Sequence, residues 1–336
     1  MAPDGFEDAL AASMRRRFGE WAQVTGLERL TGGASQELWA FDVEAFEQAP
    51  RELILRRNPG GTVKRENAAG METEARLIEL AREAGAPAPA VAHVFAPDEG
   101  LGSGYVMARV PGETLARRIL RDDQYAEARP RLPFQLGAAA AHIHTIDPAR
   151  AGPLRQTTIE GSLDGSYALY QANGGRRPVV EWAFRWLRDH RPSTDATPTV
   201  VHGDMRTGNI MVGADGLRAV LDWEAVHLGD PMEDLAWICV PSWRFGEIDK
   251  PAGGFGPREA LWAGYESVAG RPVDRERAKW WEVMGTLRWG LSCAMMGQEF
   301  LAGERNVEKA AIGRRASETE IDLLGMLAPP GGRPLV

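Results

Sequence analysis

The run Val200-Val201-His202-Gly203-Asp204-Met205-Arg206-Thr207-Gly208-Asn209-Ile210-Met211-Val212 carries more chemistry than any other part of the sequence. Apolar residues on both sides make its centre a loop between two short strands. Asp222 lies thirteen residues past Asn209 and closes the apolar run Ala219-Val220-Leu221. Strands over Asn209–Val212 and Leu217–Asp222 are expected to pair around the turn Gly213-Ala214-Asp215-Gly216. Two acids and an amide then stand at strand ends and in a loop, where a rigid scaffold can hold them together. Phosphoryl transfer uses such a set. A carboxylate orients the acceptor hydroxyl and takes its proton, and oxygen ligands hold the magnesium ions that bridge the donor phosphates. Asp204 is then the base, and Asn209 and Asp222 are the metal ligands. Magnesium prefers carboxylate and amide oxygens, so no Cys or His cluster is required. An isolated His-Gly-Asp is often only a turn; the three residues together carry the argument. His202 reads as a brace for the loop rather than as the base. Glu224 follows Asp222 by two, so strand alternation would put both carboxylates on one face. There it either reaches the metal or the acceptor, or pairs with a structural arginine.

The string from His202 to Asn209, followed by Leu221-Asp222-Trp223-Glu224, resembles the catalytic and metal-binding motifs of the aminoglycoside phosphotransferase/choline kinase-like family, distant relatives of the protein kinases. The resemblance runs from about Leu27 to Trp289. It implies an α+β, bilobal, protein-kinase-like fold: a small β-rich N-lobe over 1–107 with a leading amphipathic helix, a hinge at 108–112, and a larger, mostly helical C-lobe over 113–336. It also implies ATP in the cleft, with GTP left open, Mg2+, and transfer to a hydroxyl of a small-molecule acceptor. Arg206 departs from the aminoglycoside-modifying pattern and stands where the resembled protein-kinase loop carries a lysine. A cation there either neutralises the transferring phosphoryl group or is a solvated loop arginine.

The donor side follows the same resemblance. Thr31-Gly32-Gly33-Ala34-Ser35 resembles the phosphate-covering loop, where Gly32 and Gly33 let the backbone approach and Ser35 offers a hydroxyl. Arg56 ends Leu53-Ile54-Leu55-Arg56, at the place of the kinase lysine. Glu74 shares a helical stripe with Met71, Leu77, Ile78 and Ala81. A carboxylate on an apolar stripe needs a partner, and Arg56 supplies one. Arginine and lysine are not interchangeable, so Arg57 is a possible substitute. Tyr105-Val106-Met107-Ala108-Arg109-Val110 matches the strand into the hinge, with Ala108 and Val110 reading the nucleobase edge and Met107 behind it.

On the acceptor side, Asp230-Pro231-Met232-Glu233 has the form of a helix start. Nine of the 11 tryptophans follow residue 180 and either line a pocket or pack helices. Arg244 and Arg288 either meet an acidic acceptor group or form ion pairs. An acidic pocket for a polycation is not evident in this mix. Two other readings stay open: a nucleotide-binding pseudokinase with a partner-binding role, and a protein kinase. The second lacks Asp-Phe-Gly at Asp222 and an Ala-Pro-Glu segment.

Composition sets the outer bounds. The 336 residues suggest two lobes. Hydrophobic residues at 44% and charged ones at 26% are ordinary for a globular chain. A net charge of −8 disfavours a nucleic-acid binder, and no segment is apolar enough for a membrane span. Two cysteines, Cys239 and Cys293, suit a reducing cytoplasm. Asp4, Glu7 and Asp8 ahead of the first apolar stretch make a poor signal peptide. Oligomeric state is left open. An amphipathic helix is expected over 5–22 (Phe6, Leu10, Met14, Phe18, Trp21), then strands near Leu27–Leu30, Leu38–Val43, Glu52–Arg56, Val91–Phe95 and Tyr105–Val110, with a helix over Ala69–Ala84.

Overall fold

A computed structural model describes residues 5–30, 36–46, 49–58, 69–193 and 196–328. The loop residues Gly32, Gly33 and Ser35 lie outside the described residues. Helix α1 (Phe6–Phe18) comes first, then strands β1 (Gln23–Leu30), β2 (Glu37–Glu44) and β3 (Arg51–Asn58). Helix α2 (Met71–Glu83) and strands β4 (Val91–Val94) and β5 (Ser103–Ala108) complete the N-lobe. Its sheet has the order β1-β2-β3-β5-β4, each neighbouring pair antiparallel.

Strand alternation divides this sheet into two faces. Leu53, Leu55 and Arg57 are buried against α1, whose Phe6, Leu10 and Met14 recur every four residues. Ile54 and Arg56 turn to the other face, toward α2 and the C-lobe. Helix α1 stops at Gly19, whose φ of +111° breaks the helix, so Trp21 falls outside the stripe and is 74% exposed. The helical expectation through residue 22 is corrected there.

The rest is the larger lobe. Its elements are α3 (Ala116–Arg121), α4 (Leu132–His144), α5 (Pro148–Ala151), α6 (Ile159–Ala172), α7 (Pro178–Asp189), β6 (Thr199–Val201), β7 (Ile210–Gly213), β8 (Gly216–Val220), β9 (His227–Gly229), α8 (Met232–Cys239), α9 (Arg258–Ala269), α10 (Arg275–Leu301), α11 (Val307–Gly313) and α12 (Ala316–Leu327). Trp223, Trp280 and Trp281 are buried in its core. Two small antiparallel ribbons, β6–β9 and β7–β8, present the loops of interest to the N-lobe.

Backbone hydrogen bonds tie the lobes beyond the hinge. Val220 N–H donates to Pro87 O at 2.8 Å and Ala69 N–H to Glu224 O at 2.8 Å, while just past the hinge Glu113 and Val212 exchange two bonds within the C-lobe. None of the helices among the described residues is long and apolar enough to cross a membrane.

Candidate active site

Asp204 sits at the centre of a loop fixed from three sides. His202 is fully buried, donates from Nε2 to Leu221 O at 3.1 Å and accepts the Asp204 N–H at Nδ1. That pair of bonds sets its tautomer, and burial lowers its pKa, so it stays neutral as a brace. Asp234, on α8, accepts the backbone N–H groups of His202 and Gly203 at 2.8 Å each, and His144 Nε2 lies 3.0 Å from it. Gly203 has φ +81°, and a Cβ there would lie 2.6 Å from Ala225 O, so only glycine lets the loop turn.

The Asp204 carboxylate is oriented by three donors. Trp237 Nε1 donates to Oδ1 at 2.7 Å, Arg206 Nε to the same oxygen at 3.0 Å, and Asn209 Nδ2 to Oδ2 at 2.6 Å. A carboxylate has about four lone-pair sites, so capacity remains for a substrate hydroxyl. Arg206 in turn lies 4.8 Å from the Trp243 ring centroid, which fixes its plane beside the base.

Asn209 also donates to Asp204 O, so its Nδ2 is committed to the loop and its amide oxygen is left as a ligand atom. Leu221 N–H donates to Asn209 O at 2.8 Å, which sets the next residue, Asp222, beside Asn209. Strand β8 ends at Val220, and Asp222 takes a left-handed conformation (φ 64°, ψ 71°) at the start of a single 3-10 turn. Strand alternation therefore does not place Glu224, which corrects the sequence argument. The turn still carries Glu224 Oε2 to 3.3 Å from Gln36 Nε2 and 3.6 Å from Arg56 Nη2, on the same cleft.

Arg56 reaches across from β3. Its Nη2 donates to Asp222 Oδ1 at 2.7 Å, and its Nε lies 3.2 Å from Glu74 Oε2, close enough for an ion pair but without hydrogen-bond alignment. Tyr105 O–H donates to the same Glu74 oxygen, and among the described residues Glu74 Oε1 is buried without a hydrogen-bond partner. Burial, with Asp222 and Glu224 nearby, raises the Glu74 carboxyl to about 7 despite Arg56. Burial likewise pushes the Tyr105 phenol up. Arg57 faces the opposite way, bonded to Glu37 at 2.8 Å and 4.0 Å from the Phe6 ring centroid, so it is no substitute for Arg56.

At the hinge, Ala108 N–H is spent on Ala90 O and Arg109 N–H on Glu52 O. Any base-edge contact from Ala108 must use its carbonyl. Met107 is paired within the sheet opposite Ile54, and Val110 follows the strand end.

A family model described as the phosphotransferase enzyme family matches residues 26–281. The chain belongs to this family. Among the chain's relatives, acyl-CoA dehydrogenase family member 10 of Mus musculus is 29% identical over 210 residues, covering 57% of this chain and 18% of that protein. The chain thus spans less than a fifth of that relative's length. A Ralstonia eutropha protein assigned as an aminoglycoside phosphotransferase superposes with a TM-score of 0.73 at 23% identity, covering 93% of this chain and 95% of the other. A thermostable mutant aminoglycoside phosphotransferase in ternary complex with ADP and hygromycin B superposes with a TM-score of 0.61 at 18% identity, covering 97% and 100%. These superpositions show the bilobal kinase-like fold.

Within that fold, two contacts escaped the sequence reading: Trp237 donating to Asp204, and Asp234 holding the His202–Gly203 backbone. Asp230 and Glu233, read there as architecture, are architecture: Asp230 accepts Met232 N–H and pairs with Arg277 at 2.7 Å. Arg244 and Arg288 are ion-pair partners, of Glu282 at 3.1 Å and Glu233 at 2.6 Å.

Proposed function

We propose that this phosphotransferase moves the γ-phosphoryl group of ATP to a hydroxyl of a small-molecule acceptor, with Mg2+ in the donor site. The observation that carries this reading is the threefold orientation of Asp204 beside Asn209 and Asp222, opposite Arg56 and Glu74. The family membership and the adenine nucleotide in the hygromycin complex support ATP; nothing speaks for GTP.

The donor set fits magnesium. Asn209 keeps an amide oxygen, and Asp222 is a partly exposed carboxylate, both hard oxygen donors. Among the described residues no group of three or more His, Cys, Asp or Glu could hold a metal alone, which accords with an ion that needs donor phosphates to complete its shell. Glu224 lies close enough to the cleft to join them. When bound, Mg2+ would be held by Asn209 and Asp222 and would offset the charge of the donor phosphates.

Asp204 accepts the acceptor's hydroxyl proton as the oxygen attacks the γ-phosphorus and the bond to the β-bridging oxygen breaks. Trp237 and Arg206 fix the carboxylate plane, so little reorientation is left for the transition state. Arg206 adds positive charge next to the transferring group. Ala108 and Val110 carry the base edge with Met107 behind. Because Asp204's neighbours are Arg206 and a tryptophan cluster of Trp237, Trp243 and Trp289, the acceptor has an apolar body and is not a polycation.

The test is transfer from labelled ATP to a panel of amino alcohols, sugars, aminoglycosides and hydroxy acids. Asp204→Asn is expected to lower transfer by about a thousandfold while ADP affinity, measured by calorimetry, holds within a few-fold. Unchanged transfer in Asp204→Asn would overturn the assignment of the base.

A further inference from the structure

We propose that the Arg56 guanidinium holds the place of the divalent cation at Asp222, so that the metal enters only with nucleotide phosphates that draw the guanidinium away. This gate rests on the donor-site reading above. Its basis is that one cation serves two lobes: Arg56 Nη2 donates to Asp222 Oδ1 at 2.7 Å while Nε contacts Glu74 Oε2 at 3.2 Å. Glu74 is fixed on α2, and Arg56 on β3 between β2 and β5, so the guanidinium stays between these carboxylates until another anion accepts it. Asp222 is equally constrained, because its left-handed backbone follows Leu221, which is bonded to both Asn209 and His202.

The residue type matters. Arginine presents several donors in one rigid plane and can hold carboxylates on both lobes at once. A lysine has a single point donor on a flexible stem and would have to divide its time between Glu74 and Asp222.

A metal ion alone must take Asp222 Oδ1 from Nη2 and then face the displaced positive charge a few ångströms away. Nucleotide phosphates remove both obstacles, because they accept the guanidinium and supply the remaining metal ligands. Metal and nucleotide are therefore positively coupled, and by linkage the coupling is the same read from either ligand.

The test uses Mn2+ as the probe, its free concentration read by electron paramagnetic resonance on the full chain, with ADP binding followed by calorimetry. In the wild type, ADP is expected to tighten Mn2+ binding by about tenfold or more. The double variant Arg56→Met/Glu74→Gln removes the cation together with the buried carboxylate beside it, and at pH 8, where Glu74 is ionised, it leaves the net local charge unchanged. It should bind Mn2+ without nucleotide about tenfold more tightly than the wild type, with most of the ADP coupling gone. Arg56→Lys should move Mn2+ binding in the same direction by less, and Asp222→Asn should lose Mn2+ in either background. An unchanged or weaker Mn2+ affinity in the double variant and in Arg56→Lys, with ADP binding by the wild type intact, overturns the gate alone. Failure of the wild type to bind ADP, with or without Mn2+, overturns the donor-site reading itself.

Discussion

Glu74 in the N-lobe and Glu233 in the C-lobe are both buried glutamates beside cations, yet they sit at opposite ends of the carboxylate range. Burial pushes both upward. At Glu233, Arg288 at 2.6 Å and His227 at 3.1 Å outweigh it and bring the carboxyl to about 2, and Glu233 in turn holds the His227 pKa above its ordinary value. At Glu74, Arg56 is shared with Asp222 and Glu224, and the carboxyl stands at about 7. The first cluster is balanced and holds β9 to α8 and α10. The second has more negative than positive charge. Incomplete compensation marks the working site more clearly than burial does.

The largest expected effect tests this contrast directly. Glu233→Ala strips a paired carboxylate from Arg288 and His227 and should lower the unfolding free energy by about 4 kcal/mol. Glu74→Gln removes a poorly compensated charge and keeps an acceptor for Tyr105, so stability at pH 8 should change by no more than about 1 kcal/mol. Its effect belongs in donor-dependent transfer, with a fall of about a hundredfold. Urea denaturation of the two variants side by side decides the matter, and equal destabilisation would erase the distinction.

A pH series sharpens it. Glu74 is raised from 4.5 in the unfolded chain to about 7 in the folded one. Between those values the folded state binds more protons, so stability falls as pH rises and levels off above 7. Over that interval Glu74 contributes a decline of about 3 kcal/mol, which Glu74→Gln should flatten. Glu233, depressed from 4.5 to about 2, has the opposite sign: its contribution is complete above pH 4.5 and is lost on acidification toward pH 2. Unfolding free energies of the wild type and Glu74→Gln, close at pH 8, should therefore separate as pH falls toward 4.5, the wild type gaining about 3 kcal/mol on the variant. Parallel curves would remove Glu74 as the source.

What the sequence made legible was local. Asp204, Asn209 and Asp222 are readable because a loop and a short hairpin fix their spacing, and Glu74 because a carboxylate on an apolar helical stripe demands a partner. The same argument, applied to Asp234 within the otherwise apolar Leu235-Ala236-Trp237-Ile238-Cys239 end of α8, would have found the loop's anchor. The choice between Arg56 and Arg57 was decidable only once α1 was seen to cover one face of β3. Glu224 reaches the cleft by another route than strand alternation, because a left-handed residue interrupts the period of two, and nothing local announces φ 64° at an aspartate. Trp237 was out of reach for another reason. Its bond to Asp204 spans 33 positions and depends on how α8 packs under the loop.

Asp204 falls between the two glutamates, partly exposed like Asp222 yet held by three donors, more than Glu233 has. If orientation rather than charge balance defines it, Trp237→Phe isolates that contribution. Phenylalanine preserves an aromatic ring beside Trp243, whose centroid is 5.4 Å from that of Trp237, and deletes only the N–H aimed at Oδ1. Arg206 and Asn209 still hold the carboxylate, so the charge stays compensated and the fold intact. Losing one hydrogen bond to a charged group should lower kcat by about tenfold, with nucleotide affinity and thermal stability unchanged. A fall in stability instead, with kcat preserved in the folded fraction, would put Trp237 with the Glu233 cluster as architecture and leave Asn209 and Arg206 as the groups that aim the base.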